Sequence, residues 1–187
     1  MIRLTVRPMR RAVLVLAVLA LAGCGGSKHA ATTSTGAATA SGPPAAELRR
    51  LLGTSTATVR AAGGRWWVAW AVVGGRARTG VLERGPGGWR SVAGAAIGWT
   101  PLGPQPGGHA AAVPQVAVEI KAPSPIVDTA LWVDGRPIDT RGGGLTTKLI
   151  TIYGAPAAPL GTGRHVVVAF ARAGTTASAA AWLFTVP

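Results

Sequence analysis

Arg65 to Val73 reads Arg-Trp-Trp-Val-Ala-Trp-Ala-Val-Val, nine residues with one charged side chain. Gly63-Gly64 precedes it and Gly74-Gly75 follows it, so it reads as a strand between two tight hairpin turns. Side chains alternate along a strand. Trp66, Val68, Trp70 and Val72 therefore share one face, and Trp67, Ala69, Ala71 and Val73 share the other. Neither face can be left in water without a reason. A single sheet with one helix on it covers only one of them. The other needs a second domain, a second subunit or a ligand such as a sugar ring, domain packing being the commonest such cover. Trp66, Trp67, Trp70 and Trp89 are accordingly the candidate ligand or partner contacts.

The flanking sequence supplies the helix and the rest of the sheet. In Pro43 to Gly53, proline stands near the start, Glu47 in the first turn and glycine just past the end, which are the marks of a short helix. Leu48, Leu51 and Leu52 fall on one side of it. A helix of two to three turns is not stable by itself, so that side must dock on the sheet. Ser55, Ala57, Val59 and Ala61 alternate with Thr56, Thr58 and Arg60, and the pattern resumes in Arg76 to Val81 and, after Pro86-Gly87-Gly88, in Trp89 to Ala93. The expectation for residues 45–98 is a small antiparallel meander capped by one helix.

Residues 99–112 are rich in proline and glycine and read as an interdomain linker. From residue 113 the pattern is β throughout. Val116, Val118 and Ile120 alternate with polar neighbours, and Asp134-Gly135 is a strong hairpin signal after Leu131-Trp132-Val133. Gly142 to Gly144 reads as a turn before a long strand to Tyr153, and Arg164–Arg172 and Ala177–Val186 close the chain as a hairpin. Trp182, Phe184 and Val186 share one face of the last strand and are expected in a core. Six or so short strands at this spacing predict a β-sandwich over residues 113–187 that folds on its own. The series Pro159-Leu160-Gly161-Thr162-Gly163-Arg164-His165, Val166 to Phe170, Gly174 and Trp182 to Val186, with the Asp134-Gly135 turn, resembles the end of a bacterial immunoglobulin-like domain. The resemblance covers residues 113–187 and implies an immunoglobulin-like sandwich, without the paired cysteines of antibody domains. The fold class read from the whole chain is mainly β, a helix-capped meander followed by this sandwich.

The N-terminus carries an address. Arg3, Arg7, Arg10 and Arg11 precede Ala12 to Ala22, eleven residues without a polar side chain, as in a secretory signal peptide. As a helix this run rises only about 16 Å, roughly half a bilayer's hydrocarbon core. Leu21-Ala22-Gly23-Cys24 resembles a bacterial lipobox. The resemblance implies that residues 1–23 are removed and that the thiol of Cys24, the only cysteine, carries diacylglycerol on an extracytoplasmic protein. Residues 24–44, almost all Gly, Ala, Ser, Thr and Pro after Cys24, then form a flexible tether reaching a few tens of Å. With Cys24 acylated, no disulfide can form within the chain, and packing alone must stabilise the fold.

Charge narrows the partners. Of 19 basic residues four precede Cys24, leaving 15 against six carboxylates. A basic exported chain favours anionic lipid headgroups or acidic wall polymers, and the compartment argues against nucleic acid. The carboxylates Glu47, Glu83, Glu119, Asp128, Asp134 and Asp139 form no close pair in sequence. Asp134 belongs to a turn, and His165, at a strand start, has a structural hydrogen bond as its expected role. The three histidines lack zinc spacing, no serine sits in a Gly-x-Ser-x-Gly elbow, and no glycine-rich stretch runs into Lys-Ser or Lys-Thr. The reading is a membrane-anchored lipoprotein with no catalytic residues, metal or cofactor, serving as a binding or spacer module for a protein or polysaccharide partner of the cell envelope. The alternative is a carbohydrate or wall-polymer binder using the meander tryptophans.

Overall fold

Pro44 stands at the N-terminus of the first element, α1 (Ala45–Leu52), and Gly53 ends it with φ 77°, its N–H donating to the Arg49 carbonyl at 2.8 Å. The computed structural model describes residues 42–93 and 96–187. The lipobox, Cys24 and the tether before residue 42 lie outside the described residues. Leu48 and Leu52 are buried, and Leu51 sits on Gly80, where an added Cβ would fall 2.5 Å from the leucine side chain. The bare glycine is what lets the helix approach the sheet.

That sheet, sheet A, is the expected meander: β1 (Thr58–Gly63), β2 (Trp66–Val73), β3 (Arg76–Gly85) and β4 (Gly88–Val92), each antiparallel to the next. Gly74 and Gly75 turn β2 into β3 with φ of 56° and 74°, values only glycine adopts freely.

The remaining strands are β5 (Gly98–Gly103), β6 (Val116–Lys121), β7 (Ile126–Val133), β8 (Arg136–Pro137), β9 (Arg141–Thr146), β10 (Leu149–Gly154), β11 (Gly163–Ala173) and β12 (Thr176–Val186). They form two antiparallel sheets, β5-β6-β10-β9 (sheet B) and β12-β11-β7-β8 (sheet C). Leaving aside the two-residue β8 at the edge of sheet C, the first, second, fifth and fourth of these strands in chain order form one sheet and the third, sixth and seventh lie together in the other, which is the strand order of an immunoglobulin sandwich. The protein is mainly β, and its C-terminal part is an immunoglobulin-like β-sandwich.

Sheet C is the middle layer. Leu131, Val133, Val167, Ala169, Trp182 and Phe184 face sheet B and pack with Val116, Val118, Ile120 and Ile152. Trp132, Val166, Val168, Phe170 and Ala177 face the other way and pack with Trp66, Val68, Trp70 and Val81 of sheet A. The order of layers is α1, sheet A, sheet C, sheet B. Val166 to Ala171 is buried without a break, as a strand covered on both faces must be. The described residues accordingly belong to one compact unit.

Three sequence expectations change. The expected linker at 99–112 contains β5, paired with β6 from Gly98 to Gly103. Pro101 is tolerated there because β5 is an edge strand. Gly107 and Ala110 then donate to the Leu183 and Thr185 carbonyls, while the Thr185 N–H donates to Gly108, tying the rest of the segment to β12. The sandwich therefore begins at β5, and a unit bounded at residue 113 would lack its first strand. The expected turn at Gly142–Gly144 lies inside β9, and the expected long strand to Tyr153 is two strands, β9 and β10, paired as a hairpin. Glycine is required at 144, where a Cβ would fall 2.5 Å from the Leu149 carbonyl.

Candidate functional site

The tryptophans singled out in the sequence divide between the two faces of β2. Trp66 and Trp70 are 6% and 3% exposed and lie under sheet C. Trp70 meets Trp132 with ring centroids 6.1 Å apart. Their contact is the chain's own sandwich, so neither can stack on an external ligand. This corrects their assignment as candidate ligand contacts, and the cover demanded by β2 comes from domain packing. Trp67 and Trp89 lie on the helix side, partly buried, edge to face at 5.5 Å. The Arg84 guanidinium is 5.7 Å from the Trp89 ring centre.

Reciprocal arginines clasp the seam between sheets A and C. Arg60 of β1 donates through Nε to the Gly135 carbonyl in the β7–β8 turn at 2.9 Å. Arg164 at the start of β11 donates to the Gly75 carbonyl in the β2–β3 turn at 2.8 Å.

Two ionic clusters were not legible as such in the sequence. Glu83 of β3 is buried between two exposed arginines. Arg65 Nε lies 2.6 Å from its Oε1, and Arg90 pairs with its Oε2. Register explains the trio, since Glu83 stands opposite Arg90 on β4 and Trp66 on β2. With Trp89 and the Pro86–Gly88 turn they line a shallow groove of about 330 Å³.

The second cluster joins Asp134 to His165. Asp134 occupies the β7–β8 turn with φ 50°, a conformation aspartate tolerates better than most residues. Its Oδ1 accepts from the Val166 N–H at 2.9 Å, and its Oδ2 lies 2.6 Å from His165 Nδ1. His165 Nε2 is 2.8 Å from the Gly161 carbonyl. Two acceptors face the two ring nitrogens, so only the imidazolium satisfies both. Burial opposes the charged ring, but the Asp134 carboxylate and the Gly161 carbonyl outweigh it and hold His165 above the usual imidazole range. With both nitrogens engaged and the ring lying against Phe184, the pair is a latch between the β7–β8 turn and β11. It agrees with the structural hydrogen bond expected of His165.

Elsewhere the surface offers shallow grooves. One of about 430 Å³ runs along the seam between Thr54, Thr56, Thr58 and Val72, and another of about 410 Å³ lies beside exposed Tyr153, Gln115 and Arg141. Among the described residues no group of three His, Cys, Asp or Glu could hold a metal ion. No helix among them is long and apolar enough to cross a membrane.

No family model matches the chain, and no curated protein matches it. Among solved structures it is similar to an endo-beta-1,4-mannanase from Thermotoga petrophila, with 8% identity and a TM-score of 0.39 over 49% of this chain. The chain spans about a fifth of that protein, 20% of its length. Titin immunoglobulin tandem domains match at 8% identity and a TM-score of 0.33, over 70% of this chain and 82% of that one.

Proposed function

We propose that the protein is a membrane-anchored extracytoplasmic lipoprotein whose folded part is a non-catalytic binding or spacer module built on its immunoglobulin-like domain. The observation that carries this reading is Leu21-Ala22-Gly23-Cys24 at the end of an eleven-residue apolar run too short to span a bilayer. Two acyl chains on one cysteine suffice for stable attachment, each buried methylene contributing about 0.8 kcal/mol. A four-layer body in which sheets A and C are covered on both faces suits a rigid module held at a distance by a tether. Cells labelled with a fatty-acid analogue should yield labelled wild type, with Cys24 as the mature N-terminus. Cys24→Ser should take up no label and remain uncleaved or appear in the soluble fraction. An unlabelled wild type whose N-terminus is another residue would sink the proposal.

A second reading, a carbohydrate or wall-polymer binder, draws support from Trp89, which is partly exposed beside Arg84 and the groove at Glu83. It predicts retention on cell-wall polysaccharide that Trp89→Ala abolishes.

A further inference from the structure

The arginines of α1 and sheet A are not spread evenly over the two faces of that sheet. Register puts Arg76, Arg78 and Arg84 on the same side of β3 as Gly80 and Leu82, the side on which α1 is seated. Arg49 and Arg50 add to it from the helix itself. Of the two carboxylates in α1 and sheet A, Glu83 points to the opposite face, where it is shared by Arg65 and Arg90. Glu47 remains, and Arg50 holds it at 2.7 Å. The helix-bearing face therefore presents five arginines against one carboxylate, whereas β5 to β12 carry six basic residues against four acidic ones.

We infer that this helix-bearing face docks on an anionic lipid surface. The inference rests on the anchored reading above and adds an orientation to it. Three observations select lipid. The face has the charge to attract anionic headgroups, to whose phosphates guanidinium groups can donate pairs of hydrogen bonds. At its rim Arg84 lies over Trp89, which packs on Trp67, and amphipathic indoles of this kind favour the headgroup level. Finally, the chain from Cys24 joins the fold at Pro44, the start of the helix that this face carries. If the segment between them is the flexible tether its composition predicts, its end-to-end distance would be about 25 Å. It would hold the face at high effective concentration against the membrane, where weak attraction is enough.

The test uses residues 24–187 carrying Cys24→Ser, which contain the whole compact unit but no acyl chain. Sedimentation is measured with vesicles of phosphatidylcholine alone, and with equal parts phosphatidylcholine and phosphatidylglycerol. The chain should bind only the anionic vesicles, and raised salt should release it. A basic residue near such a surface is worth about fivefold in affinity, so Arg49→Gln, Arg76→Gln and Arg84→Gln together should weaken binding by about a hundredfold. Lys121→Gln, Arg136→Gln and Arg141→Gln remove the same charge from the sandwich and should leave binding unchanged. Arg49→Gln alone, at an exposed helix position, should lower affinity about fivefold without touching the fold. Absence of binding to anionic vesicles overturns the inference. So does equal weakening by the two triple variants, or binding to polyglycerol phosphate with none to vesicles. Acylation of Cys24 in cells is read separately, so the inference can fail while the anchored reading stands.

Discussion

Trp70→Ala tests whether meander and sandwich are one cooperative body. Trp70 is 3% exposed, belongs to sheet A, and packs on Trp132, Val166 and Val168 of sheet C. Truncating a buried tryptophan costs about 3–5 kcal/mol, because the cavity left behind closes only in part. For a unit of this size each kcal/mol lowers the melting temperature by about 2–4 °C, so a fall of roughly 6–20 °C is expected. The shape of the transition matters as much as its position. The substitution lies in the meander, but the cavity it opens is lined by side chains of sheet C, so the packing of the sandwich is weakened with it. Scanning calorimetry should therefore show one transition in wild type and one, displaced, in the variant. Two transitions, with only the smaller displaced, would refute a shared core. So would a shift below about 2 °C, which would mean that Trp70 is not packed as described.

Other outcomes follow from named contacts. Because His165 is held above its ordinary pKa, its latch to Asp134 stabilises the fold fully below about pH 6.5 and is lost as pH rises through the raised value. Denaturant midpoints should fall across that range in wild type, and much less in Asp134→Asn. Gly80→Val drives a side chain into Leu51, and overpacking of this kind costs about 1–3 kcal/mol, so helical circular dichroism should weaken while the β signal persists. Trp182→Phe leaves the Pro104 carbonyl, now 2.8 Å from the indole nitrogen, without its donor, at a cost of about 1–3 kcal/mol in chemical denaturation. Were residues 99–112 a loose linker, that substitution would be nearly silent. Residues 113–187 expressed alone should fold poorly and bind hydrophobic dyes, since they lack β5 and expose Trp132, Val168 and Phe170.

Much of this was readable in the sequence because local signals and tertiary demands agreed. The leucines of α1, the glycine pairs around β2, the Asp134-Gly135 turn and the inward Trp182 and Phe184 all stand where pattern placed them. The tryptophans on both sides of β2 announced a missing cover, although they could not say that the cover was sheet C. That was encoded in Val166 to Phe170, whose unbroken apolar run is the mark of a strand buried twice. β5 was hidden because proline and glycine mark turns by propensity, while an edge strand that donates few ladder hydrogen bonds can carry both. Gly142–Gly144 misled for the same reason. The Glu83 and Asp134–His165 clusters depend on register and on contacts 31 residues apart, which no local window contains.

The place where α1 joins the chain also governs how the protein would bear load. A pull delivered through residue 42 reaches the helix before any strand. An eight-residue helix spans about 12 Å and drawn out about 28 Å, so its release lengthens the chain by about 16 Å. The helix is held by Leu48, Leu51 and Leu52 and by few hydrogen bonds to the sheet, among them Arg78 to the Leu52 carbonyl and Arg50 to Ser91. It would detach one contact after another, whereas the three sheets behind it are joined through two cores that both include sheet C. In mechanical terms α1 would act as a shock absorber: it would give way before the sheets, leave the sandwich intact, and return Leu51 to Gly80 once the strain is gone.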